Sequence, residues 1–223
     1  FQTAAALLDW HAANEDFLYD RTPIANVGLL WSHENIDFFG RGQAAQRVAE
    51  PWRGFSTALT QARISYLPVH ADHIERQALD LLILPDLAAM TDEQIQMVRH
   101  FVSKGGSVVA SGKSGMLDAE GRARAAGGLA DLWGVRPTGQ CYGAEGESAN
   151  WENASGHTYL RLAEPQADTA ILPFGGTLQG VESLPGAEVF ASYIPAFPIY
   201  PPEISWMRQP ASDRAAIVTR QHP

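Results

Sequence analysis

Two hydrophobic patterns alternate along the first half of the chain. Short apolar runs of the kind found in buried strands of a parallel sheet occur at 25–31, 65–70, 79–85 and 107–111. Two segments between them carry apolar residues at helical spacing, namely Trp52, Phe55, Leu59 and Ala62, then Ile95, Val98 and Val102. The resulting order β-α-β-β-α-β predicts an α/β fold, with a mostly parallel sheet covered by helices on both faces.

Capping and turn residues mark the ends of these elements. Pro51 suits the first turn of the first helix. Thr91 and Gln94 have the spacing of a capping box, and Gly105-Gly106 suits the left-handed end of the second helix. Pro68 indicates that the strand at 65–70 lies at an edge of the sheet or ends irregularly. The segment 32–46 is rich in turn residues, and we expect it to be a loop.

The second half of the chain has a different character. A polar, turn-rich stretch at 116–124 precedes a short helix at 129–133, and 139–156 reads as a long loop. Short strands separated by Gly and Pro follow from His157, while 195–203 is too rich in proline for regular structure. We therefore expect three parts: a connector helix within 1–23, an α/β domain at 24–138, and a loop with a β-rich annex at 139–223.

Composition excludes several classes of function. The net charge is −9 and the pI about 5.2, which argues against nucleic acid and against anionic membrane surfaces as partners. The single cysteine, Cys141, rules out an internal disulfide, and no segment has the length of a membrane-spanning helix. The chain starts at Phe1 without methionine or a secretory signal pattern, and it stops directly after a strand-like run at 215–220, so we expect a piece of a longer protein. We expect this protein to be cytoplasmic.

The turn after the fourth apolar run reads Ser111-Gly112-Lys113-Ser114. It is not a phosphate loop, because that motif needs glycine at position 107, where this chain has serine. A serine nucleophile here, with His33 or His100 as base, needs a strained elbow and an oxyanion hole. Ala110 precedes the serine and no clear helix follows the turn, so a structural turn is the better interpretation. We predict no catalytic residue.

Other reactive side chains lack a supporting pattern. Cys141 follows no strand and reads as a packed thiol. His70, Asp72 and His73 are metal-ligand types, but without further ligands at a fixed spacing they read as polar residues at a strand end. We predict neither a metal nor a cofactor.

The strongest binding candidates follow the first strand. His33, Glu34 and Asn35 lie at its carboxyl end, where open α/β sheets bind ligands. Trp52 is close in sequence, as are Phe38 and Phe39, and aromatic rings beside carboxylates and amides suit a sugar. We predict His33, Glu34, Asn35 and Trp52 as ligand-binding residues. The alternative is a loop that orders itself through these side chains and packs against a neighbouring domain.

Three segments in this order, ANVGLLWSHEN, PWRGFSTAL and LDLLILPDLAAMTDEQIQMVRHFVSKGGSVVASG, resemble the β-galactosidase trimerisation domain. The later LADLWGV, ILPFGGTL and PAFPIYPPEISW are similar to segments of related hydrolase-like proteins. The likeness extends over about 25–220. It implies a flavodoxin-like, class I glutamine amidotransferase-like three-layer sandwich that stands behind the catalytic barrel of certain bacterial glycoside hydrolases.

The resemblance also implies what this chain lacks. Amidotransferases of this fold carry a cysteine at the position that matches Ser111 or Gly112, so the warrant for glutaminase activity is missing. We therefore expect an assembly domain of a β-galactosidase-like hydrolase, with other domains of the parent protein and copies of itself as partners and a possible carbohydrate cleft. The alternatives are an amidase or serine hydrolase using Ser111 or Cys141, and a carbohydrate-binding module using Trp31, Trp52 and Trp151.

Overall fold

The computed structural model describes residues 2–76, 78–125, 127–143, 157–166, 169–197 and 202–222. The chain begins with two helices, α1 (Gln2–Ala13) and α2 (Glu15–Leu18). The large apolar side chains of Leu7, Leu8, Trp10 and Phe17 in these helices are more than half exposed. An isolated helix of twelve residues is marginal in water, so this segment needs a packing partner.

A parallel α/β unit follows. Its elements in chain order are β1 (Val27–Trp31), α3 (Glu50–Gln61), β2 (Tyr66–His70), β3 (Leu81–Leu84), α4 (Asp92–Ser103) and β4 (Ser107–Ala110). All neighbouring strands run parallel in the order β2-β1-β3-β4, and Leu29 lies opposite both Pro68 and Ile83. The predicted α/β class with a parallel sheet is confirmed, and β2 with its proline lies at the edge of the sheet.

Alternation along the strands divides the core into two layers. Val27, Leu29 and Ile83 pack on one face together with Leu59 of α3. Leu30, Leu82 and Leu84 pack on the other face together with Ile95 and Val98 of α4. Successive strand residues point to opposite faces, so the central strands β1 and β3 contribute to both layers, and a helix covers each side of the sheet.

The ends of the helices follow the predicted signals. Thr91 Oγ1 accepts the main-chain N–H of Gln94, and Gln94 Oε1 accepts that of Thr91, which completes the capping box. Gly105 ends the turn after α4 with a φ of +93°. Pro51 lies in the first turn of α3. Trp52, Phe55 and Leu59 pack toward the sheet as predicted, whereas Ala62 lies past the end of α3 and is exposed.

The predicted loop at 32–46 is wrong, because this segment is largely helical. Wide π-helical turns at Asn35–Gly40 and Ala45–Ala49 flank a 3-10 turn at Arg41–Gln43 and run directly into α3. Phe39 is buried against Ala88, Ala89 and Val48. A Cβ on Gly40 would lie 3.0 Å from Ala44 Cβ, so glycine here permits close packing between turns rather than a break.

The second half is β-rich. After α5 (Ala130–Trp133), which ends at Gly134 with a φ of +70°, come β5 (Val135–Gly143), β6 (His157–Gln166), β7 (Thr169–Phe174), β8 (Thr177–Ser183), β9 (Ala187–Phe197) and β10 (Ala215–Arg220). One antiparallel sheet has the order β10-β9-β6-β7, and β5 pairs antiparallel with β8. The strands predicted after His157 are therefore present.

Two boundaries in this half differ from expectation. Residues 139–143 of the predicted loop belong to β5, where 141–143 pair with 177–179 of β8, and 144–156 lie outside the described residues. Residues 195–197 of the proline-rich stretch extend β9, where Phe197 lies opposite His157. Cross-strand pairing overrides the local turn composition in both cases. None of the helices in the described ranges is long and apolar enough to cross a membrane.

Candidate functional site

The four parallel strands bring their following turns to one edge of the sheet. These segments are 32–35 after β1, the 3-10 segment Ala71–Arg76 after β2, 85–90 after β3 and 111–115 after β4. Open α/β sheets bind ligands at this carboxyl edge. The predicted residues His33, Glu34 and Asn35 lie here, so this edge is the candidate functional site.

The turn after β4 is closed by an internal carboxylate. Asp86 Oδ1 accepts the main-chain N–H of Lys113 at 2.6 Å, and a Cβ on Gly112 would lie 2.3 Å from the same oxygen. Gly112 has a φ of +57°, which glycine adopts without strain. Asp86 thus occupies the concave side of the turn, where an oxyanion hole would need free N–H groups.

The two serines of this turn bond to the main chain. Ser111 Oγ accepts the N–H of Asp86 at 3.1 Å, and Ser114 Oγ accepts the N–H of Leu87 at 3.1 Å. Ser114 Oγ also lies 3.0 Å from the Leu84 carbonyl oxygen, to which it can donate. No histidine in the described part of the chain is hydrogen-bonded to either hydroxyl. The two hydroxyls tie the turns after β3 and β4 together.

Asn35 is buried and links the turns after β1 and β3. Its Nδ2 donates to the carbonyl of Asp86 at 3.0 Å, and its Oδ1 accepts the N–H of Ala89 at 3.0 Å. Its own N–H donates to Ser32 Oγ. Asp86 has a φ of +49°, a strained conformation for a non-glycine residue that these bonds help to hold. Both ends of the Asn35 amide are engaged, so this side chain holds the turn after β3 in place.

Glu34 belongs to a polar network that the sequence did not reveal. The fully buried Gln94 donates from Nε2 to Glu34 Oε2 at 3.2 Å and to Asp72 Oδ1 at 2.7 Å. One amide group therefore joins carboxylates from the turns after β1 and β2 to the start of α4. The capping-box spacing identified Gln94 as a cap, but no local signal indicated these two partners.

One indole ring and three imidazole rings form a cluster at the ends of β1 and β2. Trp31 lies 4.6 Å from His70 and 5.1 Å from His33, and the His70 ring lies 5.7 Å from that of His73, all between centroids. His70 Nδ1 is 3.4 Å from Asp72 Oδ2, while its Nε2 is buried without a hydrogen-bond partner among the described residues. The cluster combines ring faces with carboxylates.

A search of the described residues found no group of three or more His, Cys, Asp or Glu side chains that could hold a metal ion. The imidazoles of the cluster instead pack ring against ring.

The remaining predicted residues lie elsewhere. Trp52 packs on the α3 face of the sheet, and its Nε1 is buried without a partner in the described ranges. Glu34, in contrast, bonds to Gln94 on α4, which covers the opposite face. Cys141 lies on β5 opposite Gln179, with Sγ 3.3 Å from Gln179 Oε1. Trp151 falls outside the described residues. The structure therefore brings together His33, Glu34 and Asn35 but not Trp52.

One family model matches more than half of the chain. The family model described as the β-galactosidase trimerisation domain matches residues 25–163. A comparison with curated proteins gave no match.

Among solved structures, the β-galactosidase from Bacillus circulans sp. alkalophilus has a TM-score of 0.65 and 16% identity, covering 80% of this chain and 26% of that one. The cold-adapted β-galactosidase from Rahnella sp. R3 has a TM-score of 0.61 and 20% identity, covering 86% and 28%. Gan42B, a GH42 β-galactosidase from G. stearothermophilus, has a TM-score of 0.62 and 17% identity, covering 77% and 24%. This chain thus spans about a quarter of their length.

Proposed function

Because the chain belongs to the β-galactosidase trimerisation domain family, we propose that it is the assembly domain of a larger glycoside hydrolase that acts on β-galactosides. The observation that carries the proposal is the family match over 25–163, which includes the whole parallel α/β unit. The hydrolytic carboxylates would belong to another part of the same protein, and the proposed location is the cytoplasm.

The proposal includes a flavodoxin-like, amidotransferase-like fold that has lost its chemistry. The order β2-β1-β3-β4 supports it, because flavodoxin-type sheets begin with the same arrangement. The turn after β4 supports it too, since Asp86 engages the N–H of Lys113 at the place where such enzymes need an unoccupied anion site. In this reading, Asp86 stabilises the turn and the fold serves as a scaffold.

The helices α1 and α2 have a separate role in the proposal. Leu7, Leu8, Phe17 and Tyr19 are each at least 67% exposed, and exposed apolar patches of this kind mark interaction sites. We propose that residues 1–23 connect and dock this domain to another domain of the hydrolase. The remaining division, an α/β domain at 24–138 and a β-rich annex at 139–223, completes the proposed organisation.

A carbohydrate cleft at the carboxyl edge is the finer part of the proposal. The ring cluster of Trp31, His33, His70 and His73 includes residues next in the chain to the carboxylates of Glu34 and Asp72, a combination that suits the apolar face and hydroxyls of a sugar. His33 and Glu34 would contact the sugar, and Asn35 holds the turn beneath them. Trp52 packs on the α3 side, so a sugar that it contacts would approach from that side.

The experiment pairs light scattering with an activity assay on the purified chain. We expect self-association without hydrolysis of aryl β-galactosides.

A fluorescence titration tests the carbohydrate cleft. Galactoside should quench tryptophan fluorescence, and Glu34→Gln should weaken the response. A monomer at every concentration would contradict the assembly function, while an absent response at millimolar galactoside would remove only the cleft. Stoichiometric labelling of Ser111 or Cys141 by a reactive-group probe would instead support an amidase or hydrolase.

A further inference from the structure

We propose that the π-helical segment Asn35–Gly40 and the following Arg41 form the face through which copies of this chain associate. We call Ile36, Phe38 and Arg41 the assembly face. The inference rests on the proposed assembly function and names the surface that performs it. The partner that binds the assembly face is a second copy of this chain.

Exposed apolar side chains within the family-matched region 25–163 indicate Asn35–Gly40 as the contact segment. Among the described residues of this region, the exposed large apolar side chains are Ile36, Phe38, Ile64 and Val109. Two of the four belong to one six-residue segment, where Ile36 is 36% and Phe38 is 41% exposed. The larger exposed apolar surface within residues 7–24 lies outside the matched range, so it fits a neighbouring domain better than a family-wide contact between copies.

The backbone around Phe38 is held in a strained arrangement. Arg41 has a φ of +46° and a ψ of −133°, a conformation that residues with side chains rarely adopt. Its Nε–H donates to the Phe38 carbonyl at 3.0 Å. A Cβ on Gly121 would lie 2.9 Å from the same carbonyl oxygen, so the turn at 118–122 presses against this segment and needs glycine there. These contacts fix the segment on the surface, which preorganises it for binding.

The chemistry of the face suits contact with a protein surface. Aromatic residues and arginine are enriched at interfaces, and buried aromatic anchors supply much of the binding energy. Arg41 is exposed, as are Asp37 in the same segment and Glu120 in the turn that contacts it, so the region carries both signs of charge. In a cyclic trimer the contact is heterologous, so changes to one face weaken all three interfaces.

The test measures the oligomeric state of the full chain by sedimentation velocity across a concentration series. We expect Phe38→Ser to raise the concentration needed for assembly at least about tenfold, and Ile36→Ser to act in the same direction. Phe190→Ser is the matched control, because Phe190 on β9 is 38% exposed and lies outside the family-matched range; it should assemble like the wild type. Circular dichroism melts establish that each variant is folded. If Phe38→Ser does not fold, the assembly of Ile36→Ser decides the test.

The outcomes separate the two proposals. A wild-type trimer that survives both Phe38→Ser and Ile36→Ser overturns the assembly face while leaving the assembly function standing. A wild-type monomer overturns the assembly function itself. If both variants of the full-length hydrolase stay trimeric but become sensitive to proteolysis between domains, the face contacts another domain, and the inference is wrong.

Discussion

Gln94 offers the sharpest test of the network at the carboxyl edge. Its side chain caps α4 through Thr91 and donates to the carboxylates of Glu34 and Asp72. A hydrogen bond to a charged group contributes about 1.5–3 kcal/mol, and a helix cap about 1 kcal/mol. The Asp72 side chain is 52% exposed, so water can replace part of its loss and each carboxylate bond should count for only about 1 kcal/mol. We therefore expect Gln94→Ala to lower the free energy of unfolding by about 3 kcal/mol.

Urea titration at neutral pH measures this loss against a matched control. Gln96 lies on the same helix and is exposed, so Gln96→Ala should change stability by less than about 0.5 kcal/mol. Gln94→Glu adds a further test, because it places a third carboxylate between Glu34 and Asp72. Such a carboxylate has a raised pKa in the folded state, so its destabilisation should be complete above that folded pKa and should shrink as the pH falls toward the unfolded value of about 4.3. Equal effects of Gln94→Ala and Gln96→Ala would refute the assigned role of the network.

Two glycines and one ion pair give further predictions. Gly112→Ala should cost about 2 kcal/mol in a thermal or urea melt, because of the positive φ and the contact with Asp86. Gly54→Ala, in an open position on α3, should instead stabilise by about 0.5–1 kcal/mol; a loss there would contradict the packing. The hydrogen bonds from Arg99 lower the pKa of Asp131, although burial opposes them. This contribution exists above the unfolded value near 3.9 and is lost as the pH falls through the folded pKa. Because the Asp131 side chain is 67% exposed, Asp131→Asn should cost at most about 1 kcal/mol at pH 7, and a difference that persists at about pH 2 would contradict the pairing.

The elements that follow local rules were predictable from the sequence. The parallel strands, the capping box at Thr91 and Gln94, and the short helix ending at Gly134 each depend on residues within a few positions of one another. The segment at 32–46 was not predictable in this way. Its Asn, Asp and Gly residues are typical of turns, but burial of Phe39 and the long-range bonds of Asn35 favour helical turns instead.

The candidate site shows the same division. Chain order alone placed His33, Glu34 and Asn35 at the carboxyl end of β1, because a parallel strand must deliver its following residues to that edge. It could not separate Trp52 from them, since proximity in sequence does not tell which face of the sheet a helix covers. Nor could it show that Asn35 supports the turn from below.

The sequence by itself determined that a parallel α/β unit forms and that the turn after its fourth strand carries serines and no cysteine. Only the tertiary structure decided which groups contact that turn and the turns beside it. The Asp86–Lys113, Asp72–Gln94 and Glu34–Gln94 bonds join residues 27, 22 and 60 positions apart. Such pairs meet only after the sheet has brought the ends of its strands together, so no local pattern encodes them.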